Sequence, residues 1–173
     1  MSNITPQVVA RTRSDDELLK LLCDELEQRL PNGRRAADEF VAELRALPRG
    51  LRAMAATYEL DVSLALDDFG WHFGNWHHIG LAEETAAGLQ ELGASELAEL
   101  FRKAFVLARG FWSQLASEDW WRWYNRSPLQ EAVDPLNVAA WALLKTKKLG
   151  LLSYWLEYAR RYPERLQDDA GRT

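Results

Sequence analysis

The sequence predicts an all-α protein, and three observations carry the prediction. Leu and Ala number 28 and 23 of the 173 residues while Val and Ile together number nine, so the residues that suit a pleated strand are scarce. Apolar residues recur at three- and four-residue steps rather than in alternation. The periodic segments are bounded by capping residues, Gly or Pro. A composition of 47% hydrophobic and 27% charged residues is that of a chain able to bury a core. The length fits one compact multi-helix domain of about seven helices over residues 1–173, with flexible ends expected at 1–13 and 167–173.

Ser14 followed by Asp15, Asp16 and Glu17 is a capping box, and Leu18, Leu19, Leu22, Leu26 and Leu30 give the first helix its apolar stripe up to the break at Pro31-Asn32-Gly33. A second helix fits Ala36 to Leu47, with Phe40, Val41, Leu44 and Leu47 on one side and Pro48 and Gly50 after it. Met54, Tyr58, Val62, Ala65 and Phe69 recur at helical spacing, which predicts a third helix from about Leu51 to Asp68. Leu81 to Leu92 follows, with Glu83 and Glu84 in its first turn and Gly93 as its C′ residue. Ser95 is read as the cap of a helix that buries Leu97, Leu100, Phe101, Ala104 and Leu107 and is weakened or ended at Gly110. Ser117 to Asn125 is a short helical or irregular piece. Asp134-Pro135 is read as a cap-then-Pro start running to Gly150, and Leu151 to Tyr162 is the last helix, stopped by Pro163.

Charge is distributed unevenly. Between Arg52 and Arg102 lie 49 residues without a Lys or Arg, carrying nine carboxylates (Glu59, Asp61, Asp67, Asp68, Glu83, Glu84, Glu91, Glu96 and Glu99) and all three histidines. That interval sums to −9, against −5 for the whole chain and +5 for residues 102 to 165. Exposed helices ordinarily mix both signs and gain i,i+4 pairs. An unbroken acidic run is either a solvated face or one that binds a cation, repels nucleic acid or presents an anionic surface to a basic partner, the last being the preferred expectation. Asp67, Asp68, Glu83, Glu84, Glu91 and Glu99 are its candidate partner-binding residues. A single cysteine, Cys23, and an N-terminus without an apolar signal segment predict a reducing, cytoplasmic setting. No apolar run approaches the roughly 20 residues a bilayer span needs.

Within the interval, Phe69 to Gly80 holds His72, His77, His78, Trp71 and Trp76 among glycines. Imidazoles suit a transition metal, with Asp67, Asp68 or Glu83 as oxygen ligands, and a carboxylate-oriented His suits general acid–base work. On a helix, however, His77 and His78 would point about 140° and 240° from His72, so a loop would have to gather them. No nucleophile accompanies them, because Cys23 sits among leucines. The favoured expectation is a glycine-rich, aromatic-packed turn joining two helices. A His-containing metal site or a hydrolase-like enzyme at 67–84 is the alternative. Arg109, Trp112, Trp120, Trp121, Arg122, Trp123, Tyr124 and Arg126 mix cations with aromatics, a composition that bases can stack on, but inter-helix packing is expected to occupy those rings.

Leu81-Ala82-Glu83-Glu84-Thr85-Ala86-Ala87-Gly88-Leu89-Gln90-Glu91-Leu92-Gly93-Ala94 and Tyr158-Ala159-Arg160-Arg161-Tyr162-Pro163-Glu164 resemble a bacterial family of small helical proteins of mostly unknown function that includes a DNA-mimic protein. The resemblance spans about residues 48–166. That family has an Asn-Gly-Gly-Phe turn before its aromatic stretch, where this chain reads Phe69-Gly70-Trp71-His72-Phe73-Gly74-Asn75-Trp76. The resemblance implies an all-helical fold, no catalytic residues, no cofactor and, as for the DNA mimic, an acidic face for a basic DNA-binding protein. The function expected is therefore non-enzymatic protein–protein interaction. The basic C-terminal third also allows a homodimer.

Overall fold

Ser14, Asp68, His78 and Ser127 each turn a side-chain acceptor onto a free backbone N–H, and a helix begins after each. In the computed structural model, which describes residues 4–30 and 37–168, the described residues form eleven α-helices, one 3₁₀ turn and no strand. They are α1 (Pro6–Arg11), α2 (Asp15–Arg29), α3 (Ala37–Ala46), α4 (Arg49–Leu66), α5 (Phe69–Asn75) and α6 (Ile79–Glu91). Then come α7 (Ser95–Arg109), α8 (Trp112–Leu115), α9 (Trp120–Tyr124), α10 (Pro128–Lys145), α11 (Leu152–Arg161) and the 3₁₀ turn Pro163–Leu166. The all-helical class is as predicted, and the count exceeds the seven expected because short helices escape a periodicity test. The predicted break at Pro31-Asn32-Gly33 and the predicted helix start at Ala36 lie outside the described residues, as do parts of both ends.

Two starts differ from expectation. The long helix α10 opens at Ser127-Pro128, where the Ser127 hydroxyl accepts from the Gln130 N–H at 3.1 Å, and Asp134-Pro135 lies inside it. Pro135 is tolerated there because it lies on the exposed face, where the Glu131 carbonyl it leaves without a donor can be hydrated. Likewise α7 is preceded by Ala94, and Ser95 is its first residue, its hydroxyl accepting from the Gln90 side chain at 3.0 Å.

The central helix is α4, which packs against α2, α3, α5, α6, α11 and the 3₁₀ turn. Its Leu51, Met54 and Leu60 are fully buried. One core, around Phe69, Phe73, Phe101 and Tyr124, joins α4 to α5, α6, α7, α9 and α10. A second, around Trp155, Met54, Leu18 and Leu22, also takes in Ile4 and Val9 from the N-terminal segment, where the sequence signals no element. A third and smaller one holds α3 against α4 and α6 through Val41, Leu44 and Leu81. No helix among the described residues is long and apolar enough to cross a membrane.

The largest departure is α5, a helix where the sequence predicts a turn. Asp68 caps it, accepting from the Trp71 N–H at 2.9 Å, and Phe69 and Phe73 fall one turn apart on its buried side. Gly70 and Gly74 share the same four-residue spacing, and so do Trp120 and Tyr124 on α9. A Cβ on Gly70 would meet Tyr124 Cζ at 2.1 Å, and one on Gly74 would meet Trp120 Cε3 at 2.4 Å. The glycines are thus a pair of notches that admit two aromatic rings, and α9 can lie against α5 only because they carry no side chain.

Candidate functional site

The cation-free interval of the sequence is not free of cations in space. Glu84 on α6 is 5% exposed, and it accepts from Arg45 Nε at 2.7 Å and from Arg52 Nε and Nη2 at 2.7 and 2.8 Å. Burial by itself would raise its carboxyl, but the hydrogen bonds from Arg52 and Arg45 outweigh it and hold the group below the ordinary carboxylate range. Two turns further on, Glu91 is bonded by Arg49, by the Tyr158 hydroxyl at 2.5 Å and by Arg165 Nη1 at 3.1 Å. It too is held low against its burial. Burial and the bond to Glu91 push the Tyr158 phenol up to about 12. Arg49 and Arg52 lie on one side of α4 and Glu84 and Glu91 on one side of α6, so charge pairing clamps the two helices whose packing is most extensive.

Asp68 is committed as well. Besides capping α5 it accepts from the Tyr124 hydroxyl at 3.0 Å through Oδ1 and 2.9 Å through Oδ2. Burial, with Asp68, Asp134 and Asp67 nearby, drives that phenol far above its ordinary pKa. By contrast Asp67, Glu83 and Glu99 are exposed and form no ion pair among the described residues. Exposed Glu96 stands with Glu99 on the wall of a groove between α7 and α10. Of the six carboxylates that the sequence nominates for a partner, three hold the fold and three face water.

The histidines are dispersed. His72 is fully buried, its Nδ1 3.1 Å from Ser63 Oγ and its ring edge-on to Phe73 and Phe101. Burial lowers its pKa to about 4. His77 reaches back through Nδ1 to the Gly74 carbonyl at 3.1 Å. His78 caps α6, accepting from the Leu81 N–H at 3.1 Å through Nδ1, and meets Asp38 of α3 through Nε2 at 2.8 Å. Among the described residues no group of three or more His, Cys, Asp or Glu side chains is placed to hold a metal ion. Trp71 packs edge-on against Trp120, with centroids 4.8 Å apart, and Trp76 is 36% exposed.

The aromatic and cationic stretch of α8 and α9 is largely consumed by packing. Trp120 and Tyr124 enter the core and Trp123 leans on Phe111, leaving Trp121 outside with Arg122 stacked 4.9 Å from its ring centre. The residues that sequence reasoning missed are the arginines that complete the acidic helices and Tyr124, the partner of Asp68. Arg49 and Arg52 fall three residues apart on α4, the one-turn spacing that marks a shared helical face, and Glu84 and Glu91 are two turns apart on α6, while Arg45 joins them from α3. This complementary spacing was the available signal.

The protein-family profile described as DMP19-like protein matches residues 45–161. The chain belongs to that family. The matched span of this DMP19-like chain begins at Arg45 and ends with α11, so it contains α4, α6 and the whole Glu84 cluster. DMP19 is a DNA-mimic protein family. No curated protein and no solved structure matches the chain.

The Glu84 cluster gives a direct expectation. Glu84→Gln should destabilise the DMP19-like fold by about 2 kcal/mol in urea unfolding at neutral pH, the scale of hydrogen bonds to a charged group. The figure lies below that of a fully buried pair because Arg45 and Arg52 are 51% and 39% exposed. Because the carboxyl is held low in the fold, its contribution is present above the ordinary carboxylate pKa of 4.5 and is lost as pH falls through the lowered value. A variant as stable as the parent at neutral pH would show that the two arginines contribute nothing.

Proposed function

We propose that this DMP19-like chain acts by binding, as a DNA-mimic-like protein that presents carboxylates to a basic nucleic-acid-binding protein in the cytoplasm. Membership of a DNA-mimic family is the observation that carries this reading. The geometry supports it by dividing the acidic residues. Glu84, Glu91 and Asp68 stiffen the scaffold, while Asp67, Glu83 and Glu99, with Glu96 beside the last, are displayed outward from three successive segments of it. Mimicry of a phosphate array requires charges held at set spacings, and Arg clamps between α4 and α6 supply that rigidity.

The test is a salt-graded pull-down with the full chain as bait, followed by competition with duplex DNA for the captured protein. The expected prey is a basic DNA-binding protein, retained at low salt, released as salt rises and displaced by DNA. Changing Asp67→Asn, Glu83→Gln and Glu99→Gln together should weaken retention by about tenfold, since each rim charge contributes mainly to steering and association rate. Retention indifferent to salt and to the triple change would refute the reading, as would prey that DNA does not displace.

A further inference from the structure

Away from the displayed carboxylates, a cleft of about 260 Å³ opens among α2, α3, α4 and α11. Its wall is apolar and aromatic, built by Leu26, Leu30, Phe40, Tyr58 and Trp155, with Cys23 beside them. The Trp155 ring is fixed, because its residue is fully buried and its indole N–H donates to Thr57 Oγ1 at 3.0 Å. Tyr58 tilts against it with ring centres 6.3 Å apart and remains 47% exposed. Two carboxylates, Glu27 and Glu59, complete the lining, in which no Lys or Arg takes part among the described residues.

Glu59 differs from the other carboxylates drawn into this fold. Glu25 has Arg29, Glu84 has Arg45 and Arg52, and Glu91 has Arg49 and Arg165. The Glu59 side chain has no ion pair and no hydrogen bond among the described residues, although it is partly buried. Burial alone pushes its carboxyl upward, with nothing opposing. A carboxylate half-withdrawn from water without a partner loses hydration and recovers nothing, whereas a cation seated beside it would restore the balance. Aromatic faces nearby would favour the same cation through their ring quadrupoles.

We propose that this cleft binds a small organic ammonium ion with an apolar stem, the charge on Glu59 and the stem between Phe40 and Tyr58. The volume lies just below the range of roughly 300–1,000 Å³ that holds drug-sized ligands, which favours a single-ring amine. A lysine side chain from a protein would bring the same head group on an aliphatic stem, and the choice of probes separates the two sources.

The experiment titrates the full chain with phenethylammonium, with its neutral isostere 2-phenylethanol and with N-acetyl-lysine methylamide, following heat by calorimetry. Phenethylammonium is expected to saturate one site, and both 2-phenylethanol and the Glu59→Gln variant should show binding weaker by about tenfold or more, the effect of losing one close charge pair. Cys23 is the only cysteine in the chain, so the rate at which N-ethylmaleimide adds to it reports occupancy by mass. Phenethylammonium should slow that addition with the same concentration dependence, and prior addition should abolish binding. This second measurement serves if Glu59→Gln fails to fold. Absence of saturation, equal affinity for the neutral isostere, or tighter binding of the lysine derivative would each overturn the proposal.

Discussion

Gly70→Ala is expected to destabilise the fold by about 3 kcal/mol, seen as a loss of roughly 9 °C in Tm for a chain of this size. Intrinsic helix propensity argues for the opposite sign, since Ala in a helix interior is favoured over Gly by about 1 kcal/mol. Packing decides the matter. The added Cβ would lie 2.1 Å from Tyr124 Cζ and 2.2 Å from its hydroxyl oxygen, distances at which something must move. The ring cannot swing away freely, because both Asp68 oxygens accept from that hydroxyl, and bonds to a charged group are worth about 1.5–3 kcal/mol. Its neighbour on α9, Trp120, is held in the second notch at Gly74. Thermal and urea unfolding would measure the loss, with Gly93→Ala as the control. Gly93 has a φ of +81° and a Cβ there would meet nothing within 4 Å, so only backbone strain of about 1 kcal/mol is expected. If Gly70→Ala proved neutral or stabilising, α9 would not be seated on α5 in this way.

The second large effect is acid destabilisation through His72. Lowering the pH from 7 to 4 should remove roughly 3 kcal/mol of stability through this one imidazole. Its pKa is lowered from 6.5 to about 4 in the fold by burial, while the unfolded chain takes up the proton near 6.5. The unfolded state therefore holds more protons throughout that window, and stability falls with falling pH across it before levelling off below about pH 4. Each unit of difference is worth about 1.4 kcal/mol. Carboxylates also contribute in this range, Glu84 and Glu91 in the same direction, and Glu59, Asp61 and Asp67, which are raised, in the opposite one. Comparison with His72→Gln isolates the imidazole, because the amide can keep a bond to Ser63. Urea unfolding at several pH values between 7 and 4.5 should show a fall for the parent that the variant lacks. Parallel profiles would mean that His72 is protonated in the folded chain or reached by water.

How much of this was legible depended on whether the signal was local. The cap at Ser14, the stop at Gly93 and the buried side of α11 were legible because each depends on neighbours within a turn or two, whereas the stripe read for α4 was not: Tyr58, Val62 and Ala65 are exposed, Phe69 belongs to α5, and only Met54 of that set is buried on α4. Asp134-Pro135 misled because a cap-then-Pro pair is a good start only where the preceding turn is not already helical, and Ser127-Pro128 had begun the helix two turns earlier. Glycine in Phe69 to Gly80 suggested a turn because glycine is read by its conformational freedom, whereas at Gly70 and Gly74 its missing side chain is what matters. The histidines suggested chemistry, yet one of them lies in the core and another caps a helix.

The sequence by itself determined that the chain is all-helical and that its carboxylates crowd one interval, since composition and periodicity are properties of neighbouring residues. Only the tertiary structure decided what those carboxylates do. Arg45 and Arg52 meet Glu84 across 39 and 32 residues of chain, and Tyr124 meets Asp68 across 56. Coulombic attraction and hydrogen bonding act through space, and their partners are chosen by how helices pack. That choice divides the acidic interval into residues that hold the scaffold and residues that face water.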